Sequence, residues 1–227
     1  MQLSAIAFNP KVIRSNEKAR VESAYHMWLE VWQDAYRKYG WDPRTVRGDQ
    51  WSRQDQILTL FDRDHPVGCV LFHIKDLRAP WVRDDSYFRM WPAAEYQKLL
   101  AMPDPEHTLI GSYLTVAHAY RRSEHGVNAK AAMIALSMRY FQQTGFHHLI
   151  GTMVHNARVN DVSKQLGANV LKSGVEEAGV MTDLVVWYAR ELAQLSFGEI
   201  DKVLDTVTGT WKADGAHLKT QVKEIFQ

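Results

Sequence analysis

Candidate chemistry is concentrated where an apolar run gives way to a polar loop. The run ends in Leu114-Thr-Val116-Ala-His118-Ala-Tyr120-Arg121-Arg122; the loop reaches Gly126, and an Ala- and Met-rich segment follows. A strand, a Gly-containing loop and a helix N-terminus in that order make an anion site. Free backbone N–H groups and the helix dipole both favour a phosphate there. Arg121 and Arg122 would add charge-assisted donors. Cys69 sits in Val67-Gly-Cys-Val-Leu-Phe72, which reads as a buried small residue and not a nucleophile. The ten histidines form no His-Glu-x-x-His pattern and no Cys/His cluster, so no metal is expected. His147 and His148 are adjacent and in a strand would face opposite sides. There is no P-loop, and Gly126 alone is no dinucleotide fingerprint.

The elements that must position these residues follow from periodicity. Ser15 to Gly40 reads as an amphipathic helix with Val21, Tyr25, Trp28, Leu29, Trp32, Ala35, Tyr36 and Tyr39 on one stripe. Residues 41–55 read as a polar loop. Gln56–Phe61 and Val67–Phe72, separated by Asp-Arg-Asp-His-Pro, make an antiparallel hairpin. Residues 78–107 form a long connection with a short helix from Ala93 to Met102, and a connection this long is expected to be functional or a binding cover. Thr108–Ala117 is a strand and Val127–Thr144 a helix stopped by Gly145. His147–Val154 is a strand, and Asn156–Leu166 is a helix ended by Gly167. Strands over 169–171 and 181–188 complete a mixed α/β sheet with a βαβ unit in its middle. After Ser196 the chain reads as two helices, the first opened by a capping-box pattern, Ser196-Phe-Gly-Glu199. They are expected to pack on the same domain or to form a dimer contact.

The length of 227 residues suits one domain, here 1–195, with an extension over 196–227. Lys+Arg 27 against Asp+Glu 26 leaves a net charge of +1, which gives no global field for nucleic acid. One cysteine makes no internal disulfide and fits a reducing, cytoplasmic setting. No stretch reads as a signal peptide or a membrane span. Eight Trp, nine Tyr and eight Phe read first as core and second as a pocket for a long apolar ligand.

The chain resembles the GNAT acyltransferases over roughly residues 15–190, most informatively over Leu109–Val170. Their pattern is a strand ending in Val-x-Pro-x-Tyr-Arg, an Arg-x-x-Gly-x-Gly loop and a helix. Val116-Ala-His118-Ala-Tyr120-Arg121 matches the first part, with His118 in place of Pro. The loop Arg122-Ser-Glu-His-Gly126-Val127-Asn128 is one residue longer, with Asn128 in place of the second Gly. Asn156 and Gly167 match later positions, and Ser163 stands where many members place a Tyr general acid. The connection with Tyr87-Phe-Arg-Met-Trp91-Pro92-Ala-Ala-Glu95 is similar to the insert of acyl-homoserine-lactone synthases and N-acyl amino acid synthases. So are the aromatic helix around Trp28 and Trp32 and the following loop with Asp49 and Arg53. Lactone synthases carry a Glu and an Arg on the strand that here reads Ile110-Gly-Ser-Tyr-Leu-Thr115. Both are missing, which points to a different acceptor.

The resemblance implies a GNAT-like, mostly antiparallel sheet flanked by helices, with a C-terminal helical extension. It implies an N-acyltransferase that moves an acyl group from acyl-CoA or acyl carrier protein to a small-molecule amine such as an amino acid. Leu114, Thr115 and Val116 would offer backbone N–H groups to the donor. Arg121, Arg122, Gly126, Val127, Asn128 and Asn156 would hold its phosphates and pantetheine arm. His118 would be the general base, with Glu106 and His107 as weaker candidates, and Ser163 the acid. Trp28, Trp32, Asp49 and Arg53 would contact the acceptor or acyl chain. An acidic carrier protein would need a local basic patch near Arg121, Arg122, Lys130 and Arg158. The rival readings are a non-catalytic GNAT-like binding module and a short-chain acetyltransferase.

Overall fold

The computed structural model describes residues 2–121, 128–177 and 179–211. In chain order the main elements are β1 (Leu3–Phe8), α1 (Lys18–Tyr39), α2 (Gly48–Ser52), β2 (Gln56–Asp62), β3 (His65–Lys75), α3 (Ala93–Leu100) and β4 (Thr108–Val116). Then come α4 (Ala129–Thr144), β5 (His148–Val154), α5 (Val159–Gln165), β6 (Asn169–Glu177), β7 (Val180–Tyr188), α6 (Ala189–Leu192) and α7 (Glu199–Asp205). Seven strands form one sheet in the order β1-β2-β3-β4-β5-β7-β6. The β1–β2, β2–β3, β5–β7 and β6–β7 pairs are antiparallel, whereas β4 and β5 run parallel over Leu109–Gly111 opposite Leu149–Gly151. A parallel pair needs a crossover, and α4 supplies it. The expected βαβ unit and the mixed, mostly antiparallel sheet flanked by helices are therefore present.

Three elements go beyond the sequence expectations. The N-terminal segment is a strand: β1 pairs with β2 from Leu3↔Asp62 to Phe8↔Ile57. The loop 41–55 contains α2, whose Trp51 is buried. The strand expected over 169–171 runs on to Glu177, an exposed edge strand that a search for apolar runs passes over.

The described residues fall into two compact units, one of residues 2–72, 112–121, 128–140 and 196–211, the other of residues 73–111, 141–177 and 179–195. In the first, α1 buries Val21, Ala24, Met27, Trp28 and Val31 against Ile57, Phe61, Cys69 and Leu71 of β2 and β3. The buried stripe is rotated from the expected one: Ala24, Met27 and Val31 replace Leu29, Tyr36 and Tyr39 at its centre, because the bulky aromatics sit on its flanks. Gly40 ends the helix in the left-handed region at φ 75°, donating to the Arg37 and Tyr36 carbonyls. The C-terminal segment lies in this unit too. Ala5 and Ala7 N–H groups donate to the carbonyls of Thr208 and Thr210 at 2.8 and 3.1 Å, and Arg139 bonds Asp201 and Asp205 of α7 at 2.8 and 2.7 Å. The capping box expected at Ser196 is replaced by Gly198 as N-cap, while the Ser196 hydroxyl and Phe197 N–H bond Asp201. The second helix expected from Ala216 lies outside the described residues.

In the second unit the long connection is a core element. Phe88, Trp91, Tyr96 and Leu99 are buried with Ile110, Ile150, Leu184 and Val186. Arg83 ties it together by donating to the Phe88 and Trp91 carbonyls at 2.7 and 3.0 Å. Among the described residues no helix is long and apolar enough to cross a membrane.

Close packing fixes where β4 lies. A Cβ at Gly68 would stand 2.4 Å from the Thr115 carbonyl oxygen and 2.9 Å from Met133 Cγ. Both are closer than a Cβ approaches a non-bonded heavy atom. Gly68→Ala is therefore expected to push on Thr115 and lower stability by about 1–3 kcal/mol. Urea denaturation checks this, and an unchanged midpoint would mean that β4 gives way without cost.

Candidate functional site

In the first unit, β4 carries a kink. Tyr113 sits in the left-handed region at φ 53°, a conformation that costs a bulky residue about 1–3 kcal/mol unless its surroundings impose it. They do impose it. Its ring meets Trp28 and Trp32 edge-on, with centroids 5.7 and 4.9 Å apart. Trp32 Nε1–H donates to Thr115 Oγ1 at 2.9 Å, and the Thr115 hydroxyl donates to the Tyr113 carbonyl at 2.7 Å. The helix stripe and the strand kink are thus one device that sets the backbone of Leu114, Thr115 and Val116. Trp28 is wholly buried among Tyr25, Trp51 and Tyr113 and serves as a wall, whereas Trp32 is half-buried. Cys69, on β3, is buried, and burial pushes its thiol up to about 12 despite a hydrogen bond with Thr115. It stays a protonated packing residue.

Past β4, His118 Nε2 pairs with Asp34 Oδ2 at 3.0 Å, both side chains about a third exposed. Glu30 joins them: one ligand atom from each of Glu30, Asp34 and His118 lies within 4.8 Å of the others. Asp34 and Glu30 escaped the sequence reading, although their i, i+4 spacing puts them on one helix face. Their loop partner is more than eighty residues away, and no local pattern signals it. Arg121 Nε donates to the Val116 carbonyl at 3.0 Å. Burial pushes the Arg121 pKa down while Asp34 and Tyr39 oppose that shift.

Arg122, Gly126 and Val127 lie outside the described residues. Asn128 caps α4, its Oδ1 accepting from the Ala131 N–H at 3.2 Å. Asp49 and Arg53 are exposed on either side of the buried Trp51. Asp55 pairs with Lys11 at 3.0 Å.

In the second unit, Glu106 is paired with Arg78, and His107 with Asp104 at 2.6 Å. Both are held at the entry to β4 by other side chains. Asn156 is exposed in the turn after β5, and Arg158 is paired with Asp161. Ser163 is fully buried, its hydroxyl without a hydrogen-bond partner among the described residues. It has no surface open to a leaving group. Asp183 of β7 is equally buried but heavily bonded. Its Oδ1 lies 2.7 Å from His155 Nε2 and accepts from Ser173 Oγ at 2.7 Å and the Gly174 N–H at 3.1 Å; its Oδ2 pairs with Lys164 Nζ at 2.8 Å. Burial opposes ionisation, but Lys164, Ser173, His155 and Gly174 together hold the carboxyl well below the usual range. His155 and Asp183 also escaped the sequence reading, being twenty-eight residues apart, one in the turn after β5 and the other on β7.

No family model matches the sequence, and no curated relative matches it. Solved structures do match. FeeM, an N-acyl amino acid synthase from uncultured soil microbes, aligns with TM-score 0.57 at 12% identity, over 87% of this chain and 96% of its own. BjaI, a CoA-dependent acyl-homoserine lactone synthase solved with SAM and isopentyl-CoA, aligns with TM-score 0.64 at 11% identity, over 97% and 99%. The fold is theirs. A candidate N-acetyltransferase from Lactobacillus plantarum shares it, with TM-score 0.52 at 14% identity over 83% and 99%. The expected GNAT-like architecture and its likeness to the two synthase groups are therefore present at the level of fold.

Proposed function

We propose that the protein is an N-acyltransferase that moves an acyl group from a thioester donor, acyl-CoA or acyl carrier protein, to the amine of a small molecule such as an amino acid. One observation carries the reading: on this fold, a kinked β4 leads directly into the His118–Asp34 pair. Acyl transfer to an amine needs the reactants held together, a proton taken from nitrogen and the developing oxyanion stabilised. In this reading the backbone of Leu114, Thr115 and Val116 receives the donor carbonyl. Asp34 holds Nε2 of His118, and the other ring nitrogen takes the amine proton. Arg121 meets the donor's phosphates. The half-buried faces of Trp32 and Tyr113 offer apolar surface to an acyl chain. The missing Glu and Arg on β4 favour an acceptor other than S-adenosylmethionine.

The test is thiol release from acyl-CoA donors of graded chain length and from an acylated carrier protein, with and without amino acids. Amine-dependent release is expected, stronger with long chains and absent with S-adenosylmethionine as acceptor. Release confined to acetyl-CoA would replace the long-chain reading with short-chain transfer. Donors that raise the melting midpoint without any release would make the protein a binding module.

A further inference from the structure

The acyltransfer reading gives Asp34 and His118 a task and leaves Glu30 without one. Glu30 and Asp34 lie four residues apart on α1, hence on one helix face. The helix is anchored between them, since it buries Trp28 and Val31. His118 opens the short turn after β4, and that turn is pinned. The Ala117 N–H donates to the Val67 carbonyl and the Tyr120 N–H to the Ala117 carbonyl, both at 2.9 Å. All of these residues belong to the first unit.

One ligand atom from each of the three lies within 4.8 Å of the others, and Asp34 Oδ2 stands 3.0 Å from His118 Nε2. Around a tetrahedral zinc-sized ion, ligand atoms about 2.1 Å from the metal lie about 3.4 Å from one another. The Asp34–His118 edge is already near that length, and Glu30 must close in by on the order of 1 Å. Glu30 is exposed and engages no ion pair or hydrogen bond among the described residues, so its own torsions supply the movement. Asp34 is held from behind. Its Oδ1 accepts from the Arg37 guanidinium, which leaves Oδ2 facing the histidine. A ligating carboxylate is commonly oriented by such a second group. Like charges at i, i+4 destabilise a helix, and a cation between Glu30 and Asp34 removes that cost. Arg37 and Arg121 offset part of the negative charge, so charge alone does not select the ion. The imidazole does: carboxylates by themselves suit calcium or magnesium, whereas an added imidazole nitrogen favours zinc and its first-row neighbours.

We propose that Glu30, Asp34 and His118 bind a zinc-class divalent cation and that the bound ion switches the acyltransferase off. Two carboxylate oxygens and His118 Nε2 fill three positions, and water completes the coordination. Without metal, the neutral ring carries its proton on Nε2, facing Asp34, and keeps Nδ1 open to the acceptor amine. Coordination takes the Nε2 lone pair, so the ring's single proton stands on Nδ1. The ring then has no lone pair for the amine, and Asp34 is drawn from the ring to the metal. The neutral ring gains and loses no proton in this exchange. The switch rests on the acyltransfer reading; the binding does not.

The experiment has a binding arm and a turnover arm. Chelator-stripped wild type, Glu30→Gln, Asp34→Asn and His118→Ala are titrated with zinc against a chromophoric competitor, with melting midpoints as the folding control. Wild type is expected to take up zinc at this site, and each variant to bind it more than about tenfold more weakly, or about 1.4 kcal/mol. Should one variant melt early, the other two carry the comparison. Thiol release from acyl-CoA with an amino acid is then read at buffered free zinc. Zinc is expected to inhibit wild type, and excess chelator to restore turnover. Half inhibition of Glu30→Gln, referred to its own zinc-free rate, should need about tenfold more free zinc. Equal zinc affinity in wild type and the variants, or no zinc uptake, overturns the site. Displacement of zinc by equimolar magnesium or calcium overturns the zinc class. Site-dependent binding that leaves turnover unchanged overturns the switch. A wild type that releases no thiol from any donor, even with chelator, overturns the acyltransfer reading and the switch with it, while the binding arm still decides the site.

Discussion

Changing His118 to Ala is expected to lower amine-dependent thiol release on the order of a hundredfold, with donor binding little changed. The expectation follows from His118 Nε2 lying 3.0 Å from Asp34. With that nitrogen held by a carboxylate, the imidazole keeps its second nitrogen as an acceptor, and Asp34 stabilises the imidazolium that forms. Asp34→Asn should cause a smaller loss, because the ring remains but its orientation and counter-charge are weakened. Steady-state turnover checks this, with the thermal shift on donor as the binding control. Near-normal turnover would remove His118 from the chemistry.

Why the sequence exposed His118 and concealed Asp34 has a physical reason. Elements built from local periodicity were legible: the hairpin of β2 and β3, the β4–α4–β5 unit with Gly145 at its stop, and the aromatic face of α1. His118 was legible because it ends a strand within a recognisable local order. Asp34 was not, since nothing on α1 distinguishes it from an ordinary solvated carboxylate until the fold brings His118 to it. β1 was missed for the same kind of reason. Its Ser4 and two alanines, Ala5 and Ala7, have weak strand preference, and its partners are β2 and the chain near Thr208. The insert around Trp91 was expected to be functional or a binding cover; its aromatics build the core of the second unit. Aromatic content reports burial more directly than binding, as the full burial of Trp28 also shows.

Acid should destabilise the protein in two stages, and the first belongs to His148. This side chain is fully buried on β5, with Thr108 Oγ1 2.9 Å from its Nε2. Burial pushes its pKa down to about 4; neighbouring His147 adds to the shift, and Asp104 opposes it. An unfolded histidine titrates near about 6.5. Between these values the unfolded chain binds a proton that the folded chain refuses, so stability is complete above about pH 6.5 and falls as pH drops toward 4. A separation of that size corresponds to about 3 kcal/mol, lost before ordinary carboxylates titrate. The second stage belongs to Asp183, whose folded pKa is also depressed. Its contribution is present above the unfolded aspartate value, roughly 4, and is lost only below it. Urea unfolding at pH 8, 6, 5, 4 and 3 resolves the stages. His148→Gln should be less stable than wild type at pH 8, since a neutral hydrogen-bonded ring is replaced by a poorer fit, yet nearly flat from pH 6.5 to 4. If the variant keeps the wild-type slope in that window, another group carries the first stage. If the second stage survives in Asp183→Asn, the buried carboxylate is not what fails in acid.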